Sequence, residues 1–397
     1  MRTLFHFSDR TKSIWITLLM GASLVSWPVS AAPKWVISGN ENKIDLTSGV
    51  SRLVPNAAPD TLTLLNFESF PPVVVHVTNV SNSVLGPPSN VAVTADGRLA
   101  LVADSVQIDP VNPGKWFPAH RVHVVDLTVN PPRVVGEGRT GAQPSGLAIA
   151  PNGRLVLVAN RAGGSVSVLR LEGTALTWLS DVPLALSADE VSDVTIAPDG
   201  TRAFVSVREK NHLRELRIEG EKVTATERKF STYGRPYRVL TTPDGQLLLT
   251  AGIGAGNGPD MDALTVIDLE ATPPRTVDLV KLGISPESIE LSPDGRWLAA
   301  VMMNGSNLAP QDSLLQDHGE VVLLERAGRT FRHRQTVKVG RIPEGAAFTP
   351  DGRHLVVQCH PERNLWLFEV TKRGLRDTGL RISVPGMPSG MRAQGGR

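Results

Sequence analysis

The sequence lacks the residues that several common functions require. It contains one cysteine, Cys359, so the chain can form no internal disulfide and has no second thiol for a structural zinc site. Its formal net charge is only +2, and no basic stripe marks a nucleic-acid-binding surface. No serine lies in a nucleophile elbow, no haem-attachment motif is present, and the pair His120 and His123 lacks a third zinc ligand. We therefore expect no nucleic-acid partner, no metal and no cofactor.

The sequence also lacks a hydrophobic run long enough to span a bilayer comfortably. Three basic residues near the N-terminus precede a mostly apolar run from Ile14 to Val25, and "VSAAP" follows. This order predicts a signal peptide over residues 1–31, cleaved near Ala31 or Ala32, and a periplasmic or secreted protein that leaves the membrane after cleavage. The alternative is a retained membrane anchor. No cysteine lies at the cleavage site, which argues against a lipoprotein.

Six copies of one short phrase run along the chain. Each has Asp or Asn followed by Gly between two apolar runs, as in "LAIAPNGRLVLV" at 147–158 and "IELSPDGRWLAA" at 289–300. The glycines of these turns lie 56, 47, 45, 50 and 57 residues apart, at Gly97, Gly153, Gly200, Gly245, Gly295 and Gly352. This dipeptide accommodates the positive φ angles of a tight turn, so each copy predicts a β-hairpin.

A second phrase recurs between the hairpins. "VHVVDLTVNPPRVV" at 122–135 and "LTVIDLEATPPRTV" at 264–277 each indicate a strand, a polar turn closed by Pro-Pro, and another strand. One unit therefore holds four antiparallel strands. Four-stranded units at this period are typical of a β-propeller.

A seventh blade is predicted from the two ends of the chain. Residues 34–80 supply three strands with no Asp-Gly hairpin before them, and "GMPSGMRA" at 386–393 echoes "GAQPSGLA" at 141–148. We therefore predict an all-β, seven-bladed propeller that forms one domain over 32–397 and is closed by N- and C-terminal strands in one blade. Such closure removes an exposed sheet edge. We expect a monomer.

The stretch "PSGLAIAPNGRLVLVANRAGGSVSVL" at 144–169 resembles the YVTN-repeat β-propellers, which belong to the wider lactonase-like seven-bladed superfamily. The resemblance covers essentially all of the mature chain. It implies a superfamily that includes lactone hydrolases, carboxymuconate-lactonizing enzymes and exported proteins that only bind. The Asp-Gly motif belongs to the hairpin turn and not to catalysis, so the resemblance alone does not give the function.

Propeller geometry indicates which face carries a site. The loops that enter the first strand of each unit share one face with the loops that join the second and third strands. Three loops on that face are long, at 39–60, 104–121 and 303–319, and loops of this length are often functional. We expect the site on this face.

The polar residues on this face are the candidate site residues. Glu287 and Glu344, on adjacent units, could act as acid and base or bind a cation, and Arg238 could hold a carboxylate through a forked pair of hydrogen bonds. The alternative is that such residues only cap strands and fill a solvated funnel. The candidate ligand-binding residues are Arg238, Glu287, Glu344, Asp193, Asn90, Arg161, His318 and His360.

The sequence supports two functional hypotheses. The first is an exported propeller that binds a small molecule or a protein partner at the channel mouth without chemistry. The second is an enzyme of the lactone-hydrolysing or carboxymuconate-lactonizing type that uses the carboxylates, Arg and His at the mouth. The absence of nucleophile and cofactor motifs favours the binding hypothesis. The charged cluster at the mouth is the reason to retain the enzyme hypothesis.

Export gives the first testable prediction. Protein purified from its native host should have lost residues 1–31, because the short apolar run and "VSAAP" form a cleavable signal. Intact mass spectrometry measures this directly. A mature protein that still contains Met1 to Ser30 would contradict cleavage.

Overall fold

A computed structural model describes residues 34–112, 114–254 and 261–396 of the protein. The predicted signal peptide therefore lies outside the described residues. Apart from two short 3-10 turns, Ser187–Asp189 and Arg208–Lys210, the regular structure of the described part is β-strand. In this part of the chain no helix has the length and apolar character needed to cross a membrane.

The strands form seven four-stranded antiparallel sheets and one small hairpin, which confirms the predicted fold. Blade 1 and the hairpin contain β1 (Trp35–Glu41), β2 (Ile44–Asp45), β3 (Arg52–Leu53), β4 (Thr61–Asn66) and β5 (Val73–Thr78). Blade 2 contains β6 (Val91–Val93), β7 (Leu99–Ile108), β8 (Trp116–Asp126) and β9 (Arg133–Arg139). Blade 3 contains β10 (Pro144–Ile149), β11 (Leu155–Asn160), β12 (Ser165–Glu172) and β13 (Ala175–Pro183).

The remaining blades repeat the same order. Blade 4 contains β14 (Val191–Ile196), β15 (Arg202–Val207), β16 (His212–Glu219) and β17 (Lys222–Ser231). Blade 5 contains β18 (Pro236–Thr241), β19 (Leu247–Gly252), β20 (Ala263–Asp268) and β21 (Arg275–Lys281). Blade 6 contains β22 (Pro286–Leu291), β23 (Trp297–Met302), β24 (Gly319–Ala327) and β25 (Thr330–Val339). Blade 7 contains β26 (Ala346–Phe348), β27 (His354–Cys359), β28 (Asn364–Thr371) and β29 (Gly374–Ser383), and β30 (Met387–Ala393) follows.

The C-terminal strand β30 belongs to blade 1. It pairs antiparallel with β1, and the order of that sheet is β30-β1-β4-β5. β30 also contacts both β26 of blade 7 and β6 of blade 2. The two ends of the chain thus close the ring, as the sequence predicts.

The repeated hairpin turns share one hydrogen-bonding pattern. The six turn glycines have φ between 68° and 71°, the left-handed region that a side chain rarely adopts. In four turns a hydroxyl two residues before the Asp donates to its carboxylate, as in Thr94 to Asp96 at 2.6 Å and Thr349 to Asp351 at 2.7 Å. The Asp-Gly pair therefore stabilises the turn.

The inner strands are buried on both faces, because each blade packs between two neighbours. On β11, Leu155 and Leu157 lie in a core shared with blade 4, whereas Val156 and Val158 lie in a core shared with blade 2. The outermost strands alternate buried and exposed residues, as expected at the rim. The core therefore consists of a series of inter-blade layers around the axis.

Two of the three long loops contain strands that the sequence analysis did not predict. In the segment 104–121, β7 and β8 continue past the blade and pair Ile108 with Trp116. The segment 39–60 contains the end of β1 and the hairpin of β2 and β3. Apolar residues alternate with polar ones in parts of both segments, a pattern that favours strands. The third segment, 303–319, contains no strand until β24 begins at Gly319.

Ring closure gives a second testable prediction. Deleting residues 388–397 removes most of β30, whose side chains are all buried, so the free energy of unfolding should fall by several kcal/mol, at about 25 cal/mol per Å² of apolar surface. Chemical denaturation measures the loss. Deleting only 395–397 leaves β30 complete and should retain most of the stability. Equal stability of the longer deletion and the full chain would show that β30 does not close the ring.

Candidate functional site

A cavity of about 450 Å³ lies where the entry loops of the blades converge, and all seven blades contribute to its lining. Its volume is in the range of small-molecule sites. The three long loops predicted on this face, 39–60, 104–121 and 303–319, all contribute to the lining. The lining residues are Leu46, Gly49, Val50, Ser51, Val84, Leu85, Gly86, Trp116, Gln143, Arg161, Glu190, Arg208, Arg235, Tyr237, Ile253, Ser285, Glu287, Met303, Asn307, Ile342 and Glu344.

Two carboxyl groups on adjacent blades lie in this cavity. Glu344 is 1% exposed, and its Oε1 has no hydrogen-bond partner among the described residues. Burial raises the pKa of Glu344 well above the ordinary value, and the charges of Glu287 and Glu41 raise it further. Burial therefore favours the protonated form of Glu344, and one of its oxygens lacks a partner in the described part of the chain.

The pKa of Glu287 lies near neutral pH. Burial raises its pKa to about 7, and the charges of Arg208 and Arg161 limit the increase. Since the two glutamates interact, ionisation of Glu287 favours the protonated form of Glu344. The interaction therefore favours one ionised and one protonated carboxyl group in the same cavity.

An arginine cluster faces the two carboxyl groups. Arg161 donates to Glu190 Oε2 at 2.6 Å and to the Tyr237 hydroxyl at 3.2 Å. Arg208 forms ion pairs with Glu190 and, at 3.0 Å, with Glu209. The guanidinium carbons of Arg161 and Arg208 each lie 5.7 Å from the centre of the Tyr237 ring, so the phenol positions both charges.

Arg235 is the third arginine of the cluster. Its Nε donates to Glu209 Oε1 at 3.0 Å. Three guanidinium groups thus share the two carboxylates Glu190 and Glu209, which leaves an excess of one positive charge beside the Glu287–Glu344 pair. Ionisation of Glu287 balances this excess, so the guanidinium groups are suited to a ligand oxygen that becomes anionic as Glu287 takes up a proton.

Only three of the predicted site residues line the cavity: Arg161, Glu287 and Glu344. Arg238 lies inside the ring, 2% exposed, and its guanidinium forms ion pairs with Asp193 at 2.9 Å and with Glu290 at 3.3 Å. Asp193 also accepts hydrogen bonds from Ser89 and from the backbone of Val239. These groups hold blades together below the mouth, and a ligand in the cavity does not contact Arg238.

The other three predicted residues lie elsewhere as well. Asn90 is buried inside the ring, where it donates to the carbonyl of Ser83 at 2.8 Å. His360 is fully buried, bonded to the carbonyl of Pro388 at 2.8 Å, and burial lowers its pKa to about 4. His318 pairs with Asp317 at 2.6 Å. None of the three lines the cavity.

The residues that line the cavity and those that lie inside the ring occupy neighbouring positions of the repeat. Nine residues before the turn glycine, five of the six hairpin units have a proline. The residue after this position is Tyr237 in blade 5, Glu287 in blade 6 and Glu344 in blade 7, and all three line the cavity. Arg238, Asp193 and Asn90 each occupy the following position. Their side chains point into the ring instead.

The sequence analysis missed Tyr237, Glu190, Arg208 and Arg235. Two of them carried a usable signal. Tyr237 occupies the same repeat position as Glu287 and Glu344, and Arg208 follows β15 as Arg161 follows β11. Alignment of the repeats by their turn glycines would have identified both residues.

Comparisons with known proteins show the fold. No family model matches the chain and no curated protein matches its sequence. A candidate 6-phosphogluconolactonase from Bacteroides uniformis is 17% identical with a TM-score of 0.68, over 91% of this chain and 100% of the other. The periplasmic gluconolactonase of Pseudomonas aeruginosa is 18% identical with a TM-score of 0.66, over 90% and 99%.

Other chemistry occurs in similar folds. Hydrazine synthase from Kuenenia stuttgartiensis is 17% identical with a TM-score of 0.60, over 78% of this chain and 90% of the other. At these identities the likeness establishes a seven-bladed β-propeller and not an activity. Membership of the YVTN-repeat family stays a prediction.

The raised pKa values give a third testable prediction. The pKa of Glu287 is about 7 in the folded protein and near 4.5 in the unfolded chain. Between these values the folded protein binds more protons than the unfolded chain, so its stability falls as the pH rises. The pKa of Glu344 is also raised, so ionisation of Glu344 adds to this loss of stability.

Glu344→Gln removes one of the two groups without changing its size. The variant should match the wild type in melting temperature at pH 4, below the unfolded pKa of 4.5, and exceed it at pH 8, as measured by calorimetry. Glu227→Gln, at an exposed position with no ion pair among the described residues, is the control and should follow the wild type. A wild type and a Glu344→Gln variant with the same pH dependence would show that Glu344 ionises normally.

Proposed function

We propose that the protein hydrolyses a polyhydroxylated lactone in the cavity at the mouth of the propeller. The observation that carries this proposal is the Glu287–Glu344 pair, two interacting carboxyl groups that line one cavity and whose pKa values are both raised. Ester hydrolysis needs a base for the attacking water and an acid for the leaving oxygen. One carboxylate and one carboxylic acid in a single cavity supply both.

The reaction assigns a role to each carboxyl group. Ionised Glu287, with a pKa near the operating pH, takes a proton from water as the water oxygen attacks the lactone carbonyl. Protonated Glu344 gives its proton to the ring oxygen as the carbon–oxygen bond breaks. The product is a hydroxy acid, and proton exchange with solvent restores the pair.

The arginine cluster supports the same chemistry. The carbonyl oxygen gains negative charge during attack, and the guanidinium groups of Arg161 and Arg208 already act on Glu287. Their ion pairs with Glu190, together with Tyr237, fix the positions of these charges before a substrate binds. Pre-positioned charge stabilises an oxyanion without reorganisation during the reaction.

Two structural neighbours named for lactone hydrolysis are consistent with this proposal. One of them is periplasmic, which agrees with the predicted signal peptide. We therefore propose an exported enzyme of the lactonase-like superfamily. Binding without chemistry is the competing function, and the experiment below distinguishes the two.

Turnover of a lactone panel tests the proposal. Purified protein should open aldonolactones faster than the spontaneous rate, as followed by acid release at pH 6 to 7.5. Glu287→Gln and Glu344→Gln should each lower kcat/KM by about 100-fold or more, the range for loss of a general base or acid. In wild type, kcat/KM should rise with an apparent pKa near 7 as Glu287 ionises.

Glu227→Gln is the control and should keep full activity, since its side chain lies at the exposed rim of blade 4. No turnover across the panel, together with ligand-induced thermal stabilisation, would establish the binding function instead. Turnover that persists in both glutamine variants would show that other residues catalyse the reaction.

A further inference from the structure

The cavity differs in character between its floor and its rim. Glu344 and Tyr237 at the floor are 1% and 6% exposed, whereas Trp116 and Val50 are 42% and 59% exposed. The floor therefore carries buried titratable groups, and the rim carries large apolar groups that remain open to solvent. A lactone ring that reacts at the floor would leave this rim unfilled.

The position of Trp116 in the ring makes the rim relevant to substrate length. Trp116 extends from blade 2, and Glu287 belongs to blade 6. In a ring of seven blades these two are three blades apart, which is the largest separation possible. A ligand that touches both residues must cross the mouth of the propeller, and a single small ring at the Glu287–Glu344 pair would not need to.

Trp116 lies on an ordered strand. Ile108 pairs with Trp116 and Gln107 pairs with Phe117 in the part of the β7–β8 hairpin that extends past the blade. The hairpin end is fixed by Asp109, whose backbone N–H donates to the Lys115 carbonyl at 2.9 Å and whose carboxylate accepts from Val111 at 2.8 Å. The backbone that carries the indole is therefore ordered before a ligand arrives, which lowers the entropic cost of binding at this position.

Polar side chains also line the cavity. Asn307 has a buried Oδ1 without a hydrogen-bond partner among the described residues, and Gln143 and Ser51 also line the cavity. An unpartnered buried acceptor favours a ligand with hydroxyl donors at this depth. A flat, purely apolar group would leave it unsatisfied.

We infer that the substrate carries a second sugar ring beyond the lactone, and that Trp116 binds the apolar face of this ring. This inference rests on the proposed function and names its substrate class: lactones at the end of a disaccharide or longer chain. The lactone occupies the floor beside Glu287 and Glu344. The second ring lies under Trp116, with its hydroxyls toward Asn307 and Gln143.

The matched pair Trp116 and Phe117 allows a sharp test. The two aromatic residues are adjacent and equally exposed, at 42% and 41%, but only Trp116 lines the cavity. We compare kcat/KM for glucono-δ-lactone and for the lactone of cellobionic acid, each corrected for spontaneous opening. Wild type should prefer the disaccharide lactone by about tenfold.

Trp116→Ala should lower kcat/KM for the disaccharide lactone by about tenfold and change that for the single-ring lactone less than twofold. Trp116→Phe should restore part of the preference, and Phe117→Ala should match the wild type for both substrates. Equal activity of wild type on both lactones would overturn the inference. An equal loss on both in Trp116→Ala would overturn it too.

A binding arm separates this inference from the proposed function. Isothermal titration with cellobionate and with gluconate requires no turnover. If no lactone is hydrolysed, the proposed function fails, but tighter binding of cellobionate that depends on Trp116 still supports the second-ring site. If lactones are hydrolysed and neither titration nor kinetics depends on Trp116, the second-ring site fails alone. A Trp116-dependent preference for a phenyl-substituted lactone over the disaccharide lactone would assign the rim to an aromatic group and reject the sugar.

Discussion

The structure depends on one constraint, that the seven innermost strands must pack against each other in a closed ring. Each first strand contacts the first strands of both neighbouring blades, and β30 fills the last position between β26 and β6. Every inner strand thereby becomes buried on both faces, as β11 is. The same closure brings seven entry loops to one mouth, so a cavity lined by all blades follows from the closed ring.

Charge in the ring is separated into two layers. Arg238 pairs with both Asp193 and Glu290 below the mouth, where removal of Arg238 would leave buried carboxyl groups without their cation. The mouth itself holds Glu287 and Glu344; burial raises the pKa values of both, and the charge of Glu287 raises that of Glu344 further. The inner layer connects blades. The outer layer contains polar groups whose hydrogen bonding is incomplete and which a ligand can satisfy.

Much of the fold could be predicted from the sequence, because each blade repeats the same local chemistry. The Asp-Gly turns, the two-sided apolar strands and the echo between 386–393 and 141–148 are all properties of short segments. They specify the number of blades and the closing strand without knowledge of any long-range contact.

The site was harder to predict, because it depends on register and on loop contacts. Strand pairing is irregular just after the entry proline in blades 3, 5 and 6, so simple alternation does not identify whether Tyr237 or Arg238 faces the mouth. The pairing of Glu190 with Arg161 and Arg208 joins loops of two blades and has no local signature. The β7–β8 extension that carries Trp116 lies in a segment predicted as a loop.

The central claim is that Glu287 and Glu344 share one cavity with opposite protonation near neutral pH. Carbon-13 NMR titration of glutamate-labelled protein measures this directly, with the two carboxyl signals assigned through Glu287→Gln and Glu344→Gln. We expect one carboxyl to titrate near pH 7 and the other to remain protonated beyond it. Two carboxyl signals that both titrate near 4.5, as free glutamates do, would contradict the account.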